Sequence, residues 1–190
     1  MPVIDFYNRQ IQSSKNAIDH IDFEKVNFLV NEMLNCNGQI ILTGVGKNGH
    51  VAAKATSTLR SIGLKCFYLN PVDSVHGDMG IIGDDDIIIS VSKSGNTEEL
   101  LAFLQNVRRK NCKIFSIHSN PNNKSLVYSD FDIELFVDHE ADHLNAIPTT
   151  SITIFTIFLQ SIACEISRIK KLSLEDFVYN HPGGSIGQML

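Results

Sequence analysis

The stretch that most limits the possible folds is IIISVSKSGNTEELL, from Ile87 to Leu101. A short apolar run passes into hydroxyls, a glycine and an asparagine, and then into a helical pattern. That order predicts a buried strand, a tight loop and the first turn of a helix. Ser92, Ser94, Asn96 and Thr97 offer side-chain donors where a helix start leaves backbone N–H groups unpaired. Orphan donors and the helix dipole together favour an anion there. With no arginine in the run, the expected cradle is a phosphate seat of neutral donors. The competing reading is a capped helix start, with Asn96 and Glu99 at capping-box spacing.

The rest of the chain repeats the strand–turn–helix theme. Residues 4–35 carry apolar side chains at helical spacing, stopped by Asn37-Gly38. Ile40 to Leu42 read as a strand, GVGKNG as a glycine-rich turn, and His50 to Ile62 as a helix. KCFYL, KIFSIHS and FDIELFV supply further strands, and Pro148 precedes a long apolar helix from about Thr149 to Ile169. A short helix and a tail fill 173–190. Strands alternating with helices imply a three-layer α/β fold: a doubly wound, five-stranded parallel sheet with helices on both faces. Its expected strand order is flavodoxin-like, 2-1-3-4-5, which brings GVGKNG and SKSGNT to one crevice outside the carboxyl ends of the strands.

Composition narrows the partners. One domain over 1–190 suits this length. A net charge of −5 with no basic run argues against nucleic acid. Four scattered cysteines without a CxxC pair read as free thiols of a reducing compartment, and the first ten residues carry no signal-peptide pattern. The most apolar run, Ile152 to Cys164, reads as a buried helix too short for a bilayer. The expectation is a cytoplasmic protein with no membrane partner.

Several motifs compete for chemistry. Gly44, Gly46 and Gly49 match GxGxxG, yet the second strand ends Leu69-Asn70-Pro71, without the acid that would hold a ribose. Lys47 stands in the same loop, within reach of a phosphate or sugar oxygen. His139, Glu140 and His143 spell HExxH, which needs a helix to put both histidines on one face of a metal. Here the motif directly follows a strand. His76 and His181 sit in glycine-bearing loops, where histidines able to move protons are often mounted.

Taken together, GVGKNGH at 44–50, HGDMG at 76–80, SVSKSGNTEE at 90–99, EADHLNAIPTTS at 140–151 and LEDFVYNHPGGSIG at 174–187 resemble the sugar isomerase (SIS) domain of the arabinose 5-phosphate isomerases. GNT stands at 95–97 where the family commonly has GES. The resemblance implies interconversion of ribulose 5-phosphate and arabinose 5-phosphate through an enediol, feeding 3-deoxy-manno-octulosonate synthesis for lipopolysaccharide or capsule. It implies no organic cofactor and no metal, and a homotetramer with sites between subunits. On it, Ser92, Ser94 and Thr97 take the phosphate, with Gly46, Lys47 and Asn48 also on the substrate. Lys47, His76, Glu99, Glu140 and His181 fall on active-site positions, His181 entering a neighbour's site. Most members continue into a pair of CBS domains, so this chain reads as the isomerase half alone. The alternatives are an isomerase of another phosphosugar, such as a 3-hexulose 6-phosphate, or a non-catalytic sugar-phosphate-binding module.

Overall fold

A computed structural model describes residues 2–188; residues 1, 189 and 190, the ends of the expected 1–190 unit, lie outside the described residues. Two helices come first, α1 (Val3–Ile18) and α2 (Phe23–Leu34), the second capped by the Asp22 carboxylate, which accepts from Glu24 and Lys25 N–H. Then strands and helices alternate: β1 (Ile40–Thr43), α3 (Lys47–Ser61), β2 (Cys66–Tyr68), α4 (Pro71–Ser74), β3 (Ile87–Ser92), α5 (Glu98–Val107), β4 (Lys113–His118) and β5 (Phe131–Glu134). The long α6 (Thr150–Ile169) and the short α7 (Leu174–Tyr179) close the chain.

The five strands are parallel throughout and lie in the order β2-β1-β3-β4-β5, as the sequence predicts. Period-two alternation in β3 shows how both faces are filled. Ile87, Ile89 and Val91 join the core beneath α2, α3 and α6, whereas Ile88 packs against Leu100, Phe103 and Leu104 of α5 on the other side. A strand buried on both faces has no polar side to alternate with, which is why β1 and β3 read as continuous apolar runs.

The long helix corrects one expectation. The Ile152–Cys164 run reads as too short for a bilayer, but α6 has 20 residues and is long and apolar enough to cross one. Packing decides its role: Ile154, Phe155, Leu159, Ile162 and Ile166 are buried in the main core against the sheet and α3. Among the cysteines, none is in a disulfide; Cys66 and Cys112 are buried, Cys36 is half-buried and Cys164 exposed.

The glycine-rich segment also differs from its reading as a turn, because α3 begins at Lys47, three residues before the expected start. Close packing explains this. A Cβ on Gly44 would lie 2.8 Å from the Val91 carbonyl oxygen, and one on Gly49 would lie 2.7 Å from both the Gly44 carbonyl oxygen and the Tyr68 hydroxyl. The bare backbone therefore lets the first turn of α3 sit on the ends of β1 and β3. Gly49→Ala is expected to cost about 1–3 kcal/mol through overpacking, measured as a lower denaturation midpoint with an unchanged slope.

Candidate functional site

In this topology α3 leaves β1 toward one face of the sheet and α5 leaves β3 toward the other, which opens a crevice where the two strands end. The contact of Gly44 with the Val91 carbonyl shows that the two loops meet there. Each loop delivers a helix N-terminus. Gly46 caps α3 at φ 58°, a left-handed conformation suited to glycine, and Thr97 caps α5; neither makes a side-chain capping hydrogen bond. The capping box expected from Asn96 and Glu99 is not formed, because Asn96 Oδ1 instead accepts from Lys124 N–H at 2.8 Å. The first N–H groups of α5 are thus left without a side-chain cap, as an anion seat requires.

The β3–α5 loop is held in shape from beneath. Ser92, 4% exposed, accepts from Gly95 N–H at 3.1 Å and keeps its own O–H to donate. Ser94 is exposed and accepts from Asn96 N–H at 3.2 Å. Gly95 has φ +64°, and a Cβ there would overlap the Asn123 side chain. Asn123 Oδ1 accepts from Ser125 N–H, and Ser125 N–H is shared with the Gly95 carbonyl at 3.1 Å. Asn120 Nδ2 donates to the Ser94 carbonyl, and Ser119 N–H donates to the Lys93 carbonyl. In the sequence, NPNNKS shows only as turn-rich; its asparagines are the signal for this bracing role.

Glu140 is the most heavily bonded group of the site. Its carboxylate, 1% exposed, accepts from Lys93 Nζ at 2.6 Å, Ser151 Oγ at 2.6 Å, Thr149 N–H at 2.9 Å and Ser151 N–H at 3.2 Å. It therefore caps α6, whose own Thr149 supplies no side-chain cap. Burial pushes its pKa up, but the ammonium, the hydroxyl and the two backbone donors outweigh that and hold it at about 2. A carboxylate so placed stays ionised at neutral pH. Sequence reasoning passes over Lys93; the only signal is a cation lodged between two serines of the phosphate loop. Since its charge is matched by Glu140, the remaining donors of the loop are neutral, as expected. The HEADH segment forms no helix: Glu140 turns inward while His139 pairs with Asp138, Nδ1 to Oδ1 at 3.1 Å.

Other polar groups converge on the same end of the sheet. Among the described residues, the buried side-chain atoms without a hydrogen-bond partner are Asn48 Oδ1, His118 Nδ1, Ser119 Oγ and Thr150 Oγ1. Asn48 follows β1, His118 and Ser119 end β4, and Thr150 opens α6, so all four sit at the carboxyl end. Buried orphans are costly, so this end of the scaffold is the less fully satisfied one among the described residues. Lys47 and Glu99 are exposed on the first turns of α3 and α5, and His76 is exposed just after α4, which packs on α5.

His181 alone among the expected site residues is elsewhere. The neighbouring Asn180 Nδ2 donates to the Ser61 carbonyl at the far end of α3. At about 1.5 Å per helical residue, the length of α3 puts His181 roughly 20 Å from Lys47 of its own chain. Its Nδ1–H donates to the Phe177 carbonyl at 2.7 Å, and the ring rests on Phe177. A carbonyl can only accept, so in the neutral ring Nε2 carries the free lone pair.

Residues 33–164 match the SIS domain family. The chain is 33% identical over 180 residues to the arabinose 5-phosphate isomerase KdsD of Francisella tularensis, covering 95% of this chain and 55% of that protein. It is 34% identical over 181 residues to the arabinose 5-phosphate isomerase KpsF of Escherichia coli, covering 95% and 56%. It thus spans about half the length of the curated relatives it matches. The structure of Escherichia coli CFT073 c3406 in complex with arabinose 5-phosphate superposes with a TM-score of 0.90 at 29% identity, covering 95% of each chain.

The ionisation of Glu140 fixes the sign of a pH dependence. A carboxyl whose folded pKa lies below its unfolded value adds stability above the unfolded value, and that stability is lost as pH falls through the folded one. Glu140→Gln is expected to cost about 2 kcal/mol at pH 7. The gap to the natural chain should close as pH falls from about 4.5 toward 2, read from denaturation midpoints across that range.

Proposed function

Because this chain belongs to the SIS domain family, we propose that it is an aldose–ketose isomerase interconverting arabinose 5-phosphate and ribulose 5-phosphate. The observation carrying this is the pair of uncapped helix N-termini at one crevice, one with the hydroxyls of Ser92, Ser94 and Thr97, the other with Lys47 and Asn48. The likeness to the structure holding arabinose 5-phosphate supports the same reading. The product would feed synthesis of 3-deoxy-manno-octulosonate, in the cytoplasm. A 3-hexulose 6-phosphate would meet the same phosphate seat, and a sensor would bind without turnover.

In the proposed reaction the phosphate is gripped by the β3–α5 loop, which fixes the far end of the open-chain sugar. A base removes the proton from C2, the electron pair forms the C1–C2 double bond, and the carbonyl π pair moves onto the C1 oxygen, which takes a proton to complete the enediol. A proton is then delivered to C1, while the C2 hydroxyl loses its proton and becomes the ketone. Lys47 stabilises the negative charge that develops on the enediol oxygens. His76 and His181 carry the protons, and Glu99 orients one of them. Glu140, ionised and fully bonded, serves position and not proton transfer.

With His181 roughly 20 Å from Lys47 of its own chain, a part for His181 in this chemistry requires a second copy of the chain. An apolar groove between α1, α2 and α6, of about 810 Å³, exposes Tyr7, Ile11, Ile18, Phe23 and Ile157 and supports burial of this surface in a homotetramer.

Arabinose 5-phosphate in D2O is expected to yield ribulose 5-phosphate carrying deuterium at C1, seen by proton NMR. Saturable binding without turnover would sink the enzymatic reading. His76→Ala and His181→Ala should each lower kcat by about a hundredfold or more; near-normal turnover in both would remove them from the mechanism. Mixing inactive Lys47→Ala and His181→Ala chains should restore activity, because some hybrid sites would then hold both residues. No recovery after subunit exchange would place the whole site within one chain.

A further inference from the structure

Lys93 takes no part in the proposed chemistry, yet it ties the β3–α5 loop to the start of α6. Its backbone lies in the loop from β3 to α5, between the phosphate-seat serines Ser92 and Ser94. Its ammonium bonds Glu140, which in turn accepts from the N–H groups of Thr149 and Ser151. The lysine side chain is 42% exposed and the glutamate 1%, so the pair is rooted in the core at the carboxylate and reaches solvent at the lysine. A buried carboxylate stripped of its cation is strongly unfavourable, so the loop cannot drift from α6 without that cost.

We propose that Lys93 is a positioning residue of the sugar-phosphate site, its ion pair with Glu140 locking the phosphate loop against the N-terminal turn of α6. The inference rests on the phosphosugar reading and refines it. With the lock in place, Ser92, Ser94 and the first turn of α5 hold one spacing relative to Asn48 and Thr150, and the phosphate finds its donors already arranged. Preorganisation of this kind is read in ligand affinity more than in the rate of the chemical step. The other charged groups on this segment or packed against it are Arg9 of α1, whose Nη1 donates to the Ala141 carbonyl, and Asp138, His139, Asp142 and His143.

The test compares Lys93→Met, Lys93→Arg, Glu140→Gln and the double variant Lys93→Met/Glu140→Gln. Lys93→Met should weaken binding of inorganic phosphate and of arabinose 5-phosphate by about tenfold in calorimetry, and raise KM to match, with kcat within about threefold. Lys93→Arg, which keeps the cation, should recover most of that loss. The double variant should be no worse than the poorer single one, since both break one lock. The difference in Tm between Lys93→Met and the natural chain should grow as pH rises from about 3 to 6, following ionisation of Glu140. Unchanged affinity in Lys93→Met, additive losses in the double variant, or a pH-independent Tm difference would each overturn the lock. The isomerase reading fails separately: a natural chain that binds phosphate but turns over no sugar refutes that reading, while the affinity and Tm results still decide the role of Lys93.

Discussion

The site depends on two helix N-termini presented side by side with their leading N–H groups uncapped. A parallel sheet creates this when adjacent strands send their crossovers to opposite faces, because each strand then hands its helix the same polarity at the same edge. Stability gains nothing from an uncapped terminus, and α2 and α7 show what this chain does when no ligand is in question: Asp22 caps one, and a Ser173–Asp176 capping box closes the other. Like α1, which starts after Pro2, α3 and α5 begin without a side-chain cap, but only these two do so at the carboxyl edge of the sheet. The neutral hydroxyls of Ser92, Ser94 and Thr97 suit the proposed phosphate seat, since they add donors without adding net charge.

Around this open edge the chain puts unusual effort into rigidity. The β3–α5 loop is pinned on one side by Asn120, Asn123 and Ser125 and on the other by the Lys93–Glu140 pair. Gly95 is the hinge of this construction, because a side chain there would meet both a strained backbone and the Asn123 amide. The polar atoms that stay unpartnered are gathered at the same edge. The bonds that hold the loop are thus made, while buried polar atoms beside them, Ser119 Oγ included, stay unpaired.

Periodicity was enough to settle the framework. Fully apolar runs at Ile40–Leu42 and Ile87–Ile89 have the length of strands buried on both faces, and helical spacing between them leaves a doubly wound sheet as the economical arrangement. The glycine pattern at 44–49 and the hydroxyl pattern at 92–97 were legible for a related reason: each is local chemistry at a strand-to-helix junction, so its meaning does not depend on distant residues. The helix limits were less legible, because Gly44 and Gly49 read as turn formers but act by letting α3 begin early against β3.

What the sequence by itself determined is therefore the set of residue types at each junction, and through strand order the meeting of the first and third. Only the tertiary structure decided which charges find partners and how far apart the candidate residues of one chain lie. Glu140 reads as the glutamate of an HExxH match or as an active-site position, and becomes a buried, ionised cap because Lys93 arrives from 47 positions away. His181 reads as one more loop histidine near the others in role, and lies at the opposite end of α3 because α6 and α7 return the chain there. Both outcomes depend on long-range packing, where the free energy of a charge or the reach of a side chain is set by neighbours that no local pattern names.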